Sequence, residues 1–365
     1  MSGSEDILLE RRGALGIVTL NRPKALNTLS LAMYRVMDPK LLEWSRDSSV
    51  RAILVRGAGD RAFCAGGDVR AIYDARAHPQ DRAGDYKADF FREEYRLIAR
   101  VHRFPKPYIA LMDGVAMGGG MGVSVNGSHR VATERSLCAM PEVHIGLFPD
   151  VGATRYLNRC PGRIGLYLAL TGARIKSADM LYVGFATHCV RHERLGDLTE
   201  ALSSIAWRAD EERAQVDAVL ARFHESAGEA PLAALQPQID RCFAGDSVEA
   251  ILEALAEEGS DWARETRSTM ERVSPVSLKI TFRQMTLGDA RMEIEQALAL
   301  EYRMTQHVMA AHDFFEGIRA VLVDKDQNPR WEPASLGDVS DAEVARYFES
   351  LGVRELTFDE RESAP

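Results

Sequence analysis

From Lys106 to Asp150 the chain reads KPYIALMDGVAMGGGMGVSVNGSHRVATERSLCAMPEVHIGLFPD. An apolar run from Pro107 to Met112 leads into the glycines Gly118, Gly119 and Gly120, after which a helix is expected to begin. The same succession occurs upstream, where Arg51 to Arg56 leads into Arg61-Ala62-Phe63-Cys64-Ala65-Gly66-Gly67-Asp68. A buried strand, a glycine turn and a helix start leave backbone N–H groups without intrahelical partners. Two such turns facing one another could hold one developing negative charge, which is the design of an oxyanion hole. The reading predicts an α/β fold with its chemistry at these turns.

The glycines do not fit the common nucleotide-binding patterns. The register G-x-G-x-x-G starting at Gly120 fails at Val125, nothing resembles GxxxxGK[ST], and Ser124 lacks the G-x-S-x-G frame of a serine nucleophile. Side-chain chemistry is instead expected just downstream. Glu142 follows a strand-like piece, Ser136 to Met140, and precedes the apolar run Ile145, Gly146, Leu147, Phe148 and Pro149. Such surroundings exclude water and raise a carboxyl pKa. A tight loop through Gly146 and Pro149 would let Asp150 converge on the same site, and His144 could either share the direction of Glu142 or be a rim residue.

Toward the N-terminus, Ile7 to Glu10 and Leu15 to Leu20 read as a hairpin across Arg12-Gly13. Ser30 is a plausible cap for a helix that Pro39 is expected to interrupt or restart. Ala75 to Gly84 reads as a polar excursion, and Asp89 to Arg103 as a helix carrying Glu93 and Glu94 in different phase. Helices are expected from Arg163 to Leu170 and from Ser177 to Tyr182, with a short strand from Phe185 to Val190. His188, Cys189 and His192 read as surface or core residues, because the strand phase does not suit a zinc site. Beyond about Glu193 only helices are expected, with Asp246 and Glu249 as a capping box, Ser274-Pro275 as a helix start and Asp313 with Glu316 as a second box.

With 365 residues, of which 46% are hydrophobic, the chain can bury a large core. A net charge of −9 argues against a sequence-independent grip on nucleic acid. No apolar run reaches the roughly 18 residues of a membrane span, and the acidic start MSGSEDILLE suits neither export nor import. The cysteines Cys64, Cys138, Cys160, Cys189 and Cys242 are scattered and form no CxxC pair. They suggest neither a disulfide framework nor a thiolate metal site, and fit a cytoplasmic location.

The strings LNRPKALN, AFCAGGD, GVAMGGG, MPE and EGIRAVLVDKDQNPRW resemble the crotonase, or enoyl-CoA hydratase/isomerase, superfamily. Within it, FFREEY at 90 to 95, MGGGMG at 117 to 122 and MPEVHIGLFPDVG at 140 to 152 resemble the 3-hydroxyisobutyryl-CoA hydrolases. The resemblance implies a crotonase-like spiral of ββα units (1–200), while the all-helical texture beyond it reads as a helical C-terminal domain (201–358) and the acidic end as a disordered tail (359–365). It implies an acyl-CoA substrate, no metal or other cofactor, no nucleic acid or membrane partner, and a homo-oligomer, either a trimer or a multiple of one.

Carried over position by position, the resemblance makes Gly67 and Gly119 the oxyanion donors, and Glu142 and Asp150 the catalytic acids. Glu94 would bind the 3-hydroxyl of the acyl group, with Gly119, Glu142 and Asp150 also touching substrate. Lys24, Ala65, Asp68 and Arg70 would lie along the CoA moiety. Crotonase hydratases carry a second catalytic glutamate three residues after the second oxyanion donor, and here that position is Gly122. The implied reaction is hydrolysis of the 3-hydroxyisobutyryl-CoA thioester in valine breakdown. The alternatives are an enoyl-CoA hydratase or isomerase and, from another class, a CoA-binding protein without catalysis.

Overall fold

The computed structural model describes residues 3–77 and 86–358. These residues fall into two compact units, each assembled from separated segments of the chain. The expected tail at 359–365 and most of the excursion between Ala75 and Gly84 lie outside the described residues.

The first unit comprises Met1–Asp68, Arg96–Ala139 and Arg174–Ala233. Its strands are β1 (Ile7–Arg12), β2 (Leu15–Leu20), β3 (Ala52–Gly57), β4 (Ala62–Cys64) and β5 (Tyr108–Met112). They continue with β6 (Val115–Met117), β7 (His129–Ala132), β8 (Leu137–Ala139), β9 (Ile175–Lys176) and β10 (His188–Cys189). A six-stranded sheet runs β1-β2-β3-β5-β7-β10, and a four-stranded sheet runs β4-β6-β8-β9. The hairpin β1–β2 is antiparallel with Arg12 opposite Leu15, and β2, β3, β5, β7 and β10 are parallel. Each of the pairs β3–β4, β5–β6 and β7–β8 places one strand in the large sheet and the next, three-residue strand in the small one. That repeated step is the ββ part of the expected ββα unit.

The central strands read as unbroken apolar runs because both faces of the large sheet are covered. On one face Ile17, Leu54, Ile109, Leu111 and Val131 pack with Leu198, Leu202, Val216 and Leu220 of the helices Leu195–Ser203 and Glu212–Phe223. On the other, the Trp44 ring from the helix Leu31–Arg46 lies so close to Gly16 that a Cβ there would come within 2.9 Å of it. Each leucine or isoleucine buried in this way contributes roughly 2 kcal/mol.

The helix Leu31–Arg46 starts as expected at Ser30, whose hydroxyl accepts from the Met33 amide at 3.3 Å, but it runs through Pro39 without interruption. Pro39 sits on the exposed side, where water can satisfy the carbonyl left without its bond, while Met33, Met37, Leu41 and Trp44 stay buried.

The second unit comprises Val69–Tyr95, Met140–Ala173 and Ala234–Pro365 and contains no strand among the described residues. Part of its core is a row of edge-to-face rings: Phe90–Phe91 at 5.5 Å, Phe91–Tyr95 at 5.9 Å and Tyr95–Tyr302 at 6.4 Å between centroids. Ser274 caps the helix Pro275–Leu287 through the Ser277 amide at 3.0 Å, as the Ser-Pro pair predicts. The other two boxes differ. Ser247, not Asp246, caps the helix Val248–Glu258, because its hydroxyl lies in reach of the Ala250 amide at 3.1 Å. Asp313 is a buried acceptor for the Ser274 hydroxyl and the Glu332 amide, and Glu316 pairs with Arg319. Among the described residues no helix is long and apolar enough to cross a membrane.

The glycine turn after β6 tolerates no side chain at Gly120, where a Cβ would lie 2.2 Å from the Cys64 carbonyl oxygen. That oxygen belongs to the backbone of a neighbouring strand and has little room to move. Gly120→Ala is therefore expected to cost about 3 kcal/mol, seen as a lower urea midpoint at unchanged slope. An unaltered midpoint would show that the two strands are not held this closely.

Candidate active site

In the first unit, the turn leaving β4 is fixed by its main chain. The Ala65 amide donates to the Leu26 carbonyl at 2.9 Å, Leu29 donates to Gly66 at 2.8 Å, and Asp68 donates to Leu29 at 2.8 Å. Gly66 needs a φ of +117°, open to glycine alone among the common residues. These bonds use the Ala65 and Asp68 amides and the Gly66 carbonyl, and the Gly67 N–H has no partner among the described residues.

The turn leaving β6 resembles it. Gly118 has φ 49° and ψ −122°, and its carbonyl receives the amides of Met121 and Gly122, leaving the buried Gly119 N–H without a partner among the described residues. A Cβ on Gly66 would lie 3.4 Å from the Met117 carbonyl oxygen and 3.8 Å from the Gly119 nitrogen. The two glycine turns are thus adjacent, and each offers a free amide.

Of the other residues expected along CoA, Lys24 is exposed on the turn Pro23–Ala25 and Ala65 is half-buried. The Asp68 carboxylate is held by Arg22 at 3.0 Å. Arg70, in the second unit, is exposed and pairs with Asp74 at 3.0 Å.

The acids belong to the second unit. Three residues beyond the end of β8 the chain enters a single turn, Glu142–Ile145, closed by Gly146 in the left-handed region at φ 70°. Glu142 is 6% exposed, Asp150 4%, Glu94 2% and Glu301 0%. The Glu142 Oε2 atom is buried with no hydrogen-bond partner among the described residues. The Tyr95 hydroxyl donates to Asp150 Oδ2 at 2.6 Å.

Burial holds the Glu142 carboxyl well above the usual carboxylate range, and the charge of Asp150 adds to the effect. Burial also pushes Asp150 up, to about 7, against the opposing pull of the Tyr95 hydroxyl. One acid that keeps a proton near neutrality beside another with an unpartnered oxygen is suited to acid–base chemistry. His144 is turned to the Thr171 carbonyl, 3.0 Å from its Nε2.

The family model described as enoyl-CoA hydratase/isomerase matches residues 15–348. The chain belongs to the enoyl-CoA hydratase/isomerase family. Among curated members, the mitochondrial 3-hydroxyisobutyryl-CoA hydrolase of Rattus norvegicus is 47% identical over 358 residues, covering 97% of this chain and 91% of the relative. The enzyme of the same name from Homo sapiens is 44% identical over 360 residues, again covering 97% and 91%. A solved family structure, described as a carnitinyl-CoA dehydratase from Mycobacterium thermoresistibile, is 41% identical with a TM-score of 0.88, covering 98% of this chain and all of that one. These likenesses establish the crotonase fold for the chain.

Two buried residues beside the family-implied acids escaped the sequence reading. Tyr95 adjoins Glu94 inside the quoted FFREEY string, but nothing in the letters said that its hydroxyl would reach Asp150. Glu301 carries a signal in its place on a helix. In the helix Ile294–Val308 the buried residues are Ile294, Ala297, Leu298, Glu301, Tyr302, Met304, Thr305 and Val308, so a charged residue stands in a core-facing position. His188, Cys189 and His192 form no metal cluster: the His188 ring meets His224 edge-on, and His192 pairs with Asp113 at 2.9 Å.

Proposed function

We propose that the chain hydrolyses the thioester of 3-hydroxyisobutyryl-CoA to 3-hydroxyisobutyrate and free CoA. The observation that carries the reading is the buried, unpartnered oxygen of Glu142 in a chain whose relatives are named for this reaction. In the proposed scheme the amides of Gly67 and Gly119 donate to the thioester oxygen as it becomes negative, each donor being worth roughly 10² to 10³ in rate. Glu142, once ionised, attacks the carbonyl carbon or takes the proton of the attacking water. The C–S bond then breaks and Asp150 gives a proton to the CoA thiolate; where Glu142 is the nucleophile, the acyl group is left on it as an anhydride, which water hydrolyses to release the acid and restore Glu142. Glu94 accepts the 3-hydroxyl, which disfavours acyl groups lacking it. The scheme uses no metal or other cofactor.

Hydration of an enoyl-CoA is the second reading, favoured by the descriptions of solved relatives as a dehydratase and an enoyl-CoA hydratase. It would need two carboxylates about one water, and Gly122 stands where crotonase hydratases have the second. Its helix position is buried, with the Gly122 carbonyl receiving Asn126 at 2.9 Å. Incubation with 3-hydroxyisobutyryl-CoA and with crotonyl-CoA separates the readings. Rapid thiol release from the first and at least about 100-fold slower loss of the alkene in the second are expected. Brisk hydration without thiol release would refute hydrolysis. Five free, buried cysteines support a reducing compartment such as the cytoplasm, whereas the named relatives are mitochondrial.

A further inference from the structure

We propose that Glu301 is a positioning residue that holds the strained turn after Asp150 and thereby aims the Asp150 carboxyl. The inference rests on the reading that Asp150 takes part in the reaction. The turn is unfavourable by itself. Val151 has a φ of +56°, where a β-branched residue rarely sits, and Gly152 follows at +89°. Some other contact must hold the chain there.

The holding group comes from the helix Ile294–Val308. Glu301 Oε2 accepts the Gly152 amide at 2.7 Å, and Oε1 accepts both the Thr154 amide at 2.9 Å and the Thr154 hydroxyl at 2.7 Å. Gln284 closes the other side by donating through Nε2 to the Pro149 carbonyl at 2.7 Å and to the Thr154 hydroxyl oxygen at 2.8 Å. Residues 149, 152 and 154 are therefore pinned around Asp150, and Glu301, Gln284 and Thr154 are all fully buried. The same helix supports the acid's other contact, since Tyr302 packs edge-on against Tyr95, whose hydroxyl meets Asp150.

Three donors converge on the two oxygens of Glu301, whose carboxyl burial pushes up to about 8 against the pull of these same bonds; in either charge state a carboxyl can turn an accepting oxygen to both backbone amides. A glutamine there would present an NH₂ group to an amide N–H. The clamp would loosen and the neighbouring carboxyl would lose its aim, while the substrate's other contacts would remain.

The test is a mutant cycle on the full chain, reading kcat and KM for thiol release from 3-hydroxyisobutyryl-CoA. Glu301→Gln is expected to lower kcat about tenfold with KM within about twofold, and to add no further loss in an Asp150→Asn background. Unchanged kcat in Glu301→Gln, or the same factor lost in both backgrounds, would overturn the proposal, because a residue that only stabilises the fold does not act through Asp150. Full kcat in Asp150→Asn alone would bring down the underlying reading, and the proposal with it, whatever Glu301→Gln does. Should Glu301→Gln fail to fold, Thr154→Val removes one arm of the clamp. It is expected to lose about threefold in kcat, again only when Asp150 is present, and undiminished kcat there would count against the clamp.

Discussion

Glu142→Gln is expected to lower kcat for thiol release by about 10³-fold or more while raising heat resistance at pH 8. Glutamine keeps the shape of the side chain but can neither attack a carbonyl as an anion nor take a proton from water. The stability half of the prediction follows from burial. The folded chain holds the Glu142 proton to a pH well above the ordinary carboxyl value of 4.5. Stability from this group is therefore complete below that ordinary value, and it is lost as pH rises toward the raised folded value. The loss amounts to about 1.4 kcal/mol per pH unit while the folded carboxyl keeps its proton and the unfolded one does not. Glutamine has no proton to lose, so the gap in Tm between variant and parent should widen from pH 5 to pH 8 in the variant's favour. Thermal unfolding at the two pH values, beside a thiol-release assay, measures both halves. A variant that keeps its activity would remove Glu142 from the scheme, and a gap independent of pH would mean that its carboxyl is not held protonated.

Such a trade of stability for reactivity also marks what could be read from the letters. Apolar residues from Ile145 to Pro149 announced a dry setting for Glu142, and the structure buries it. The strands leading to the glycine turns were legible because, covered on both faces, they are unbroken apolar runs. The short strands Ala62–Cys64 and Val115–Met117 were not, since three residues are too few to show a period and their pairing comes from partners far along the chain. Pro39 misled because helix breaking depends on whether the orphaned carbonyl reaches water, which is a tertiary fact. The spacing of Asp246 and Asp313 suits capping, but spacing alone does not decide it. A serine one residue on did the work of the first, and a buried hydroxyl and amide claimed the second. The clamp on the Asp150 turn joins residues about 150 positions apart, so only the misplaced charge in a buried stripe hinted at it.

Asp150→Asn is expected to lower kcat by about 10²-fold and to change the shape of its pH dependence. In the parent chain Glu142 and Asp150 are buried together, and the charge on one discourages ionisation of the other, so the pair titrates in two steps. In the proposed scheme the working form carries one proton, on Asp150 for the leaving thiolate, and one negative charge, on Glu142 to act at the carbonyl. Burial pushes Asp150 up to about 7 and holds Glu142 well above the usual carboxylate range, so the singly protonated pair forms as the first proton leaves in that region; the share of it with the proton on Asp150 is the reactive one, and the rate should rise there and fall again at higher pH as the second proton leaves. Asparagine keeps the hydrogen bond from the Tyr95 hydroxyl through its carbonyl oxygen, and so disturbs the packing little. It has no proton to give up. The falling limb should vanish, and the residual rate should rise with pH to a plateau set by Glu142 alone. Rate profiles from pH 5 to pH 10 on both proteins read the difference directly. A falling limb that survives in Asp150→Asn would mean that another group supplies the proton to the thiolate.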